Sequence, residues 1–254
     1  MAGGNARKIT LLVSDVPPSH LDALASGPTI PDPTTVTDCQ EIIDRYKLLE
    51  RFPESVRGFF QSEIPETPKP GMLTSPCWNL LDSDELALAA EHHAADFGFH
   101  TIIDNTCDDW DYARAAEYLL ERMRALRREH RRVCLISCGE VIVALPASLP
   151  ATVAGGRNQQ FAVYAATKLH ASDHPLAVLS AGSDGVDGNS QNAGAVVDNS
   201  TCGDAARLSA ASQALESFDS ATFLSSIDAT ITTGPTGQNL RDLRLLLAAD
   251  SSSL

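Results

Sequence analysis

Residues 176–198 read LAVLSAGSDGVDGNSQNAGAVVD, and this stretch determines the predicted fold. Its apolar start, 176–179, has the length and composition of a buried strand in a parallel sheet. The loop that follows, 180–188, carries three glycines and two carboxylates, Asp184 and Asp187. In open α/β sheets, ligands bind beyond the carboxyl ends of the strands. The stretch therefore predicts an α/β protein with a ligand site at this strand end.

The loop residues allow several interpretations. Asp184 and Asp187 can ligate a hard cation or accept a proton, while the glycines permit a ligand to approach the backbone closely. The plain alternative is that Asp-Gly and Gly-Asn pairs only form turns. A calcium loop that begins at Asp187 is a poorer match, because Asn192 stands where such a loop needs glycine.

A second predicted strand ends in the same way. Residues 8–13, KITLLV, run directly into Ser14 and Asp15. We interpret the rest of the chain as a scaffold that brings these two strand ends together.

Composition limits the classes of function. The net charge of −14 opposes binding to nucleic acid or to an anionic membrane. A basic segment, 122–132, is interpreted as a solvated helix end, with a binding patch as the alternative. No apolar run approaches the roughly 20 residues of a membrane span, and no signal-peptide pattern is seen. The six cysteines are scattered and typical of reduced thiols, so we expect a cytoplasmic protein.

Periodicity and capping signals predict the secondary structure. Prolines exclude regular structure from 26–35, and Ser83 is the predicted N-cap of its helix. Predicted helices cover 37–49, 83–97, 110–129, 158–169, 201–216 and 221–226, and predicted strands cover 8–13, 100–104, 133–137, 140–145, 176–179 and 230–233. The segment 243–248 closes the chain.

A glycine pair, Gly155-Gly156, directly precedes the predicted helix at Asn158. Backbone amides at a helix start attract anions, and Arg157 offers a planar fork for a carboxylate or phosphate. The alternative is an ordinary Gly-Gly turn, because such turns are common before helices.

Eight segments occur along the chain in the order ITLLVSDV, ALASGPTIPDPTT, ETPKPG, ISCGE, GGRNQQ, AGSDGVDG, NAGAVVD and TGPTGQN. In this order they resemble the glycerate 2-kinase family, which ends in a leucine-rich MOFRL domain. Some of its members carry the older label hydroxypyruvate reductase. The resemblance implies two Rossmann-like α/β domains around a cleft, the first one incomplete. Residues 1–108 would be the C-terminal part of the N-terminal glycerate kinase domain, and 109–254 the MOFRL domain.

The resemblance also implies the reaction, which is phosphorylation of D-glycerate at its 2-hydroxyl with ATP and Mg²⁺. Asp15 is the expected catalytic carboxylate, with a cap on residues 19–21 as the alternative. Arg157 is expected to hold the substrate carboxylate or a phosphate, with an interdomain ion pair as the alternative. Asp184 and Asp187 are the expected Mg²⁺ or ribose partners, whereas Glu140 is interpreted as a solvated strand edge.

The remaining expected contacts to substrate or nucleotide are small polar and glycine residues of the same loops. They are Ser14, Ser26, Gly27, Gly156, Asn158, Gln159, Ser183, Gly185, Gly234, Thr236, Gly237 and Asn239. These loops are expected to converge on one interdomain cleft into which Arg157 points.

The family carries a further N-terminal portion, with its active-site lysine and an SGGGSA stretch, that this sequence lacks. The match corresponds to roughly the C-terminal three-fifths of the family, so we expect no kinase activity from this chain alone. A complementing N-terminal fragment or a homo-oligomer is the expected partner. SDVPPSHL, SCGE and LLDSDELA also depart from the family's motifs. A hydroxypyruvate reductase and a non-catalytic ligand-binding fragment stay open as alternatives, although no dinucleotide fingerprint follows any predicted strand.

Overall fold

The computed structural model describes residues 8–72, 76–173 and 175–250. The backbone divides into two compact units. The smaller consists of Met1–Leu12 and Val16–Leu80, and the larger of Val13–Asp15 and Leu81–Leu254. The division falls near residue 80, so residues 81–108 belong to the larger unit here. The assignment of 1–108 and 109–254 to two family domains stays a prediction.

The smaller unit contains a two-stranded sheet and short helices. Strands β1 (Thr10–Val13) and β2 (Cys77–Leu81) pair, and the helices are α1 (Val36–Arg45) and α2 (Glu54–Phe60), with 3-10 turns at Pro18–Ser26 and Leu48–Glu50. Helix α1 begins with a capping box. The Thr35 hydroxyl accepts the N–H of Asp38 at 3.1 Å, and the Asp38 carboxylate accepts the N–H of Thr35 at 2.7 Å. Beyond Ser26, the proline-rich loop has no helix or strand up to residue 35, as predicted.

Apolar side chains of this small sheet are unusually exposed. Ile9 and Leu11 are 68% and 61% exposed, and Trp78 and Leu80 of β2 are each about half exposed. A two-stranded sheet buries little and is marginally stable on its own in water. Apolar side chains in the described part of the first half of the chain are thus left uncovered.

The larger unit is built on a six-stranded mixed sheet. Its strands are β3 (His100–Ile103), β4 (Arg132–Cys138), β5 (Leu176–Gly182), β6 (Gly194–Asp198), β7 (Thr230–Ile231) and β8 (Asp242–Ala249), in the spatial order β3-β4-β8-β5-β6-β7. Only β3 and β4 are parallel; the other four pairs are antiparallel.

The predicted parallel setting of the strand at 176–179 is therefore wrong. β5 is antiparallel to both of its neighbours, β6 and β8. Its residues alternate between buried and half-buried, which is the burial pattern of a sheet with one face better covered than the other. A short apolar run indicates burial but carries no information on strand direction.

Helices cover the two sheet faces unequally. They are α3 (Ser83–Asp96), α4 (Tyr112–Leu126), α5 (Arg157–Lys168), α6 (Ala205–Ser217) and α7 (Ser220–Ser225). On one face, Leu119 of α4 and Phe161 of α5 join Leu246 of β8 in the main core. On the other face, Ala87 of α3 packs with Ile136 of β4 in a smaller cluster.

Two local predictions need correction. The N-cap of α3 is Asp82 rather than Ser83, because the Asp82 carboxylate accepts the N–H groups of Asp84 and Glu85. The predicted strand at 140–145 forms only one bridge, between Ile142 and Asp111. Within the described residues, no helix is both long and apolar enough to cross a membrane.

Candidate functional site

Three glycine-rich loops of the larger unit meet at one end of the sheet. The loop before α5 and the loop after β5 are joined because Gly155 O accepts the N–H of Asn189 at 3.2 Å. The loop after β5 and the loop before β8 are joined by the Thr236 N–H, which donates to Asp184 O at 2.9 Å, and by Leu240 N–H, which donates to Ser183 Oγ at 2.7 Å. Of the five loops expected to converge, the structure brings these three together.

Gly185 makes the closest contact among these loops. Its φ is +86°, and a Cβ atom on it would lie 2.0 Å from the carbonyl oxygen of Gly234. Both the left-handed backbone and the lack of space require glycine at this position.

Asp187 acts as a helix cap supplied from another loop. Its Oδ1 accepts the backbone N–H of Asn158 at 3.0 Å and the Asn158 side-chain amide at 3.2 Å, while Oδ2 accepts the N–H of Gln159 at 2.8 Å. These amides form the first turn of α5, whose own N-cap is Gly156 and has no side chain to contribute. The expected anion position at this helix start is therefore filled by a protein carboxylate.

The surroundings of Asp187 have two opposing effects on the pKa of its carboxyl. Burial raises its pKa to about 6, while the N–H groups of Gln159 and Asn158 act in the opposite direction. Since both oxygens already accept hydrogen bonds, the expected metal role does not fit Asp187 well. The structure gives this side chain the task of capping α5.

Arg157, the first residue of α5, is held between two carboxylates. Its Nε donates to Asp242 Oδ2 at 2.6 Å, and its Nη2 donates to Glu140 Oε1 at 2.7 Å. The Asp242 side chain is only 2% exposed, whereas that of Arg157 is 38% exposed. The ion pair that was left as the alternative for Arg157 thus exists, within the larger unit.

Glu140 takes part in the ion pairing of Arg157. It is not the solvated strand edge that was expected from the sequence. Burial raises the pKa of its carboxyl, and the adjacent Arg157 guanidinium partly offsets that effect. The apolar segment after Glu140 was predicted as a strand, and a strand-opening glutamate normally faces solvent. Because the segment is instead a loop, Glu140 turns towards α5.

A second arginine fixes the loop that carries Glu140. Arg241 is 3% exposed and donates from Nη1 and Nη2 to the two oxygens of Asp108, each at 2.7 Å. Oδ1 of Asp108 also accepts the N–H of Glu140 at 2.9 Å. The Arg241–Asp108 pair therefore connects three chain segments: the one before α4, the one after β4 and the start of β8.

Of the two carboxylates in the loop after β5, Asp184 accepts fewer hydrogen bonds than Asp187. Its Oδ1 accepts the N–H of Val186 at 3.0 Å, and Oδ2 has no hydrogen bond to any described residue. A Cβ on Gly182 would lie 2.9 Å from Asp184 Oδ1 and 3.6 Å from Asp242 Oδ1, so both carboxylates flank this glycine. In the described part of the chain, no group of three metal-ligating side chains occurs.

A cavity of about 770 Å³ opens beside these residues. Its polar lining includes Glu140, Arg157, Asp184 and Asp187, and its apolar lining includes Ile142, Leu145, Leu149, Val153 and Phe218. Nη1 of Arg157 has no hydrogen-bond partner among the described residues, so donors remain available at this wall. The cavity is large enough for a small organic anion.

The other expected site residues lie elsewhere or line no part of this cavity. Asp15 is exposed and makes no hydrogen bond to a described residue; the 3-10 turn after it has Pro17 at its N-cap and no side-chain cap. The capping alternative for Asp15 is therefore wrong. Ser14 is fully buried and donates its N–H to Leu81 O at 2.8 Å. Ser26 and Gly27 belong to the smaller unit, where both have left-handed φ angles of 62° and 55°.

Sequence reasoning missed Asp242, Asp108 and Arg241. Asp242 directly follows the TGPTGQNLR loop and opens the last strand, a position equivalent to that of the residues singled out after other strands. The sequence therefore carried a signal for Asp242, namely its position directly after a polar, glycine-containing loop. No local signal marks the Asp108–Arg241 pair, whose members are 133 positions apart.

Comparison with known proteins agrees with this architecture. Residues 133–242 match the MOFRL family, and residues 1–61 match a domain of unknown function, DUF4147. The D-glycerate 2-kinase of Thermotoga maritima is 31% identical over 247 residues, which cover 94% of this chain and 56% of that protein. The chain is similar to glycerate 2-kinases over nearly all of its length. A crystal structure of the Thermotoga maritima glycerate kinase matches with a TM-score of 0.80 and 30% identity, over 96% of this chain and 58% of that one.

Two further proteins are similar over nearly the whole chain. The glycerate 2-kinase of Pyrococcus horikoshii is 28% identical over 92% of this chain and 54% of its own length. A relative from Agrobacterium vitis, named as a hydroxypyruvate reductase, is 32% identical over 95% of this chain and 55% of its own length. This chain thus spans little more than half the length of these relatives.

Proposed function

We propose that this chain takes part in the glycerate 2-kinase reaction, the transfer of a phosphoryl group from ATP to the 2-hydroxyl of D-glycerate. The names of its relatives support the reaction. The observation that carries the proposal is the setting of Arg157. Asp242 and Glu140 fix its guanidinium at the wall of a cavity, with Nη1 unpaired among the described residues.

Arg157 binds the carboxylate of D-glycerate or a phosphate oxygen through Nη1. A planar guanidinium suits either group, because both present pairs of oxygens. Since two protein carboxylates already orient the fork, little conformational entropy is lost when the anion binds. Asn158 and the glycines Gly155, Gly156 and Gly188, which line the cavity, supply further contacts.

Mg²⁺ is the proposed metal, and the donor set fits it. Mg²⁺ is usually held by one or two carboxylates together with substrate phosphates, rather than by a cage of protein ligands. Asp184 has a free oxygen and would hold the ion together with the substrate phosphates. Asp242 lies across Gly182 from it, but both of its oxygens already accept hydrogen bonds from Arg157. When bound there, the ion neutralises charge on the phosphates.

Asp15 is the proposed catalytic carboxylate. No described residue donates a hydrogen bond to Asp15, so both oxygens can orient the 2-hydroxyl of glycerate or take its proton. Transfer to the hydroxyl needs such a positioned acceptor more than it needs covalent chemistry. We also propose a cytoplasmic location, since all six cysteines are free thiols, which a reducing compartment maintains.

The test compares the chain alone with a fusion. The fusion joins to this chain the N-terminal part of the Thermotoga maritima kinase that this chain does not match. With D-glycerate, ATP and Mg²⁺, the chain alone should be inactive and the fusion should turn over at roughly 1–100 per second. In the fusion, Asp15→Asn should lower kcat with little change in KM. Turnover of hydroxypyruvate with NADH, in place of kinase activity, would show the reductase instead.

Binding of D-glycerate to the chain alone is a second measurement. Titration calorimetry should detect binding that Arg157→Met abolishes, while Arg207→Met on the surface of α6 leaves it unchanged. An active fusion whose Arg157→Met variant keeps its KM for D-glycerate would contradict the role of Arg157.

A further inference from the structure

A second cavity of the larger unit lies at the other end of the sheet from the candidate site. It has a volume of about 540 Å³, and the buried apolar side chains of Met123, Leu176 and Ala248 line its inner wall. Leu176 begins β5, and Gly182, next to the candidate site, ends it about 20 Å further along at roughly 3.3 Å per residue. The two cavities are therefore separate.

Three arginines from the end of α4, Arg124, Arg127 and Arg128, line this second cavity, hereafter the arginine cavity. The N–H of Arg127 donates to Met123 O at 2.9 Å, so the helical spacing continues past Leu126. Residues three and four positions apart lie side by side on a helix, and like charges at that spacing repel each other. The binding patch that was the alternative interpretation of segment 122–132 therefore has a cavity beside it.

Carboxylates compensate two of these three charges. Arg124 donates from Nε and Nη2 to the two oxygens of Asp173, at 2.9 and 2.7 Å. Arg127 donates from Nη2 to Asp250 Oδ1 at 3.1 Å. Asp173 also lines the cavity, whereas Asp250 and Glu121, whose charge also acts on Arg124, do not. Arg124 Nη1 and Arg127 Nε have no hydrogen bond to a described residue, so each pair leaves a donor unused.

Arg128 is the arginine whose charge is left over. Its side chain is exposed and forms no ion pair or hydrogen bond with a described residue. Glu129 follows it directly but does not line the cavity, and adjacent positions on a helix do not face each other. The opposite wall comes from the turn after α5, where the Ser172 hydroxyl and the His170 ring have no hydrogen bond to the described part of the chain. Unused donors therefore come from two segments of the chain.

We propose that the arginine cavity binds a phosphate group, carried by a small phosphomonoester or present as inorganic phosphate. A phosphomonoester has about 1.5 to 2 negative charges at pH 7 and three acceptor oxygens, so it accepts hydrogen bonds from Arg128, Ser172 and His170 together. A carboxylate has one charge and two oxygens and uses fewer of these donors. The apolar inner wall favours the ester, because it can contact a short carbon chain.

The size of the cavity and the charge of the chain agree with such a ligand. A volume of about 540 Å³ lies within the roughly 300–1,000 Å³ range of small-molecule sites. The net charge of −14 repels anions from most of the surface, whereas residues 122–132 hold six of the 19 Lys and Arg residues. The arginine cavity is a second site, which takes no part in the proposed kinase reaction.

Calorimetric titration with glycerol 3-phosphate tests the proposal. In about 0.15 M sodium chloride, where the Debye length is about 8 Å, the unaltered chain should bind this ester saturably. Arg128→Met should weaken binding by about tenfold or more, because a charge-assisted hydrogen bond is lost. Arg207→Met, at an exposed arginine of α6, is the matched control and should leave the affinity unchanged. Absence of binding, or equal affinities of the unaltered chain and Arg128→Met, overturns the proposal.

Inorganic phosphate is the second titrant, and it separates the two sources of the phosphate group. Weaker binding of inorganic phosphate than of the ester identifies the ester as the ligand, because only the ester contacts the apolar wall. Equal affinities identify the phosphate group alone as what is recognised. In either case Arg128→Met should weaken the binding.

Crystals of the unaltered protein soaked in sodium tungstate provide a measurement that needs no variant. Tungstate is a tetrahedral dianion whose oxygens resemble those of phosphate. An anomalous peak should lie in the arginine cavity, with tungstate oxygens within hydrogen-bond distance of Arg128. A peak beside Arg157 alone, or no peak, overturns the proposal. Neither measurement depends on D-glycerate or on kinase activity, so this proposal can fail while the proposed function stands.

Discussion

The carboxylate of Asp187 accepts the backbone N–H of Gln159 at 2.8 Å, so the loop after β5 supplies the cap of α5. Arg157 is the first residue of that helix, and its direction is therefore tied to the position of Asp187. One carboxylate sets the local geometry, and two others, Asp242 and Glu140, hold the guanidinium. The following experiments separate these contributions.

The Asp187→Asn variant should change how stability depends on pH. Burial raises the pKa of Asp187 to about 6, above its ordinary value of 3.8, so between these values the folded chain retains a proton that the unfolded chain has lost. The contribution of Asp187 to the free energy of unfolding is therefore complete below pH 4 and declines up to about pH 6. Relative to Asp187→Asn, the wild type should lose about 2–3 kcal/mol across this window in urea titrations.

Asp198→Asn is the matched control for that titration. Burial acts to raise the pKa of Asp198, but hydrogen bonds from Ser200 and Thr201 outweigh it and the pKa is lowered. Its contribution is present above the ordinary pKa and is lost only in more acidic solution, so it should stay constant between pH 4 and 6. If the two variants showed the same pH dependence, the assignment to Asp187 would be wrong.

Arg157→Met should destabilise the larger unit by about 2–4 kcal/mol, because it leaves the buried Asp242 carboxylate unpaired while the arginine itself was only partly buried. Arg157→Lys should cost less, although a single ammonium cannot engage both carboxylates through a planar fork. In carboxyl NMR titrations of Arg157→Met, the pKa of Glu140 should rise, since Arg157 lowers it. The exposed control Arg207→Met should change the free energy of unfolding by no more than about 0.5 kcal/mol.

Arg241 and Asp108 should be strongly coupled. Each single variant, Arg241→Met or Asp108→Ala, removes both hydrogen bonds and leaves the other group without its partner. A double-mutant cycle measured by urea unfolding should give a coupling energy of about 1–3 kcal/mol. Additive effects of the two substitutions would mean that the pair does not hold these segments together.

Two glycines with left-handed φ angles should respond differently to alanine. At Gly185, the new Cβ would lie 2.0 Å from the oxygen of Gly234, so the two loops must separate. At Gly237, with a φ of +74°, nothing lies within 4 Å, and only backbone strain of about 1–2 kcal/mol remains. Gly185→Ala should therefore destabilise by more than Gly237→Ala in thermal unfolding. Equal losses would indicate that strain alone decides both.

Local sequence signals located the helices closely but not the sheet. The helix predicted over 83–97 is Ser83–Asp96, and the one over 158–169 is Arg157–Lys168, because caps and period are encoded within each segment. Strand β6 lies inside the stretch that opened the sequence analysis, yet its short run, GAVVD, was not predicted as a strand. Pairing direction depends on strands far away in sequence, which no local pattern records.

The site was predicted only in part, because some of its contacts join residues that are far apart in the sequence. The loops around Gly156, Asp184 and Thr236 were identified because glycine and polar residues mark strand and helix ends. The partners of Arg157 were not, since Asp242 is 85 positions away. The apolar residues after Glu140 have the composition of a strand, but they form only one bridge and line a cavity, where Ile142 and Leu145 are more than half exposed.

The position of β8 has a consequence for how the chain folds during synthesis. This strand, Asp242–Ala249, lies between β4 and β5, and it is the last of the described strands to leave the ribosome. Until it emerges, β4 and β5 have no common partner, and both present open hydrogen-bonding edges to other chains. The larger unit therefore completes its sheet only after Ala249 has been made, and nascent chains stalled before Asp242 are the ones most exposed to aggregation.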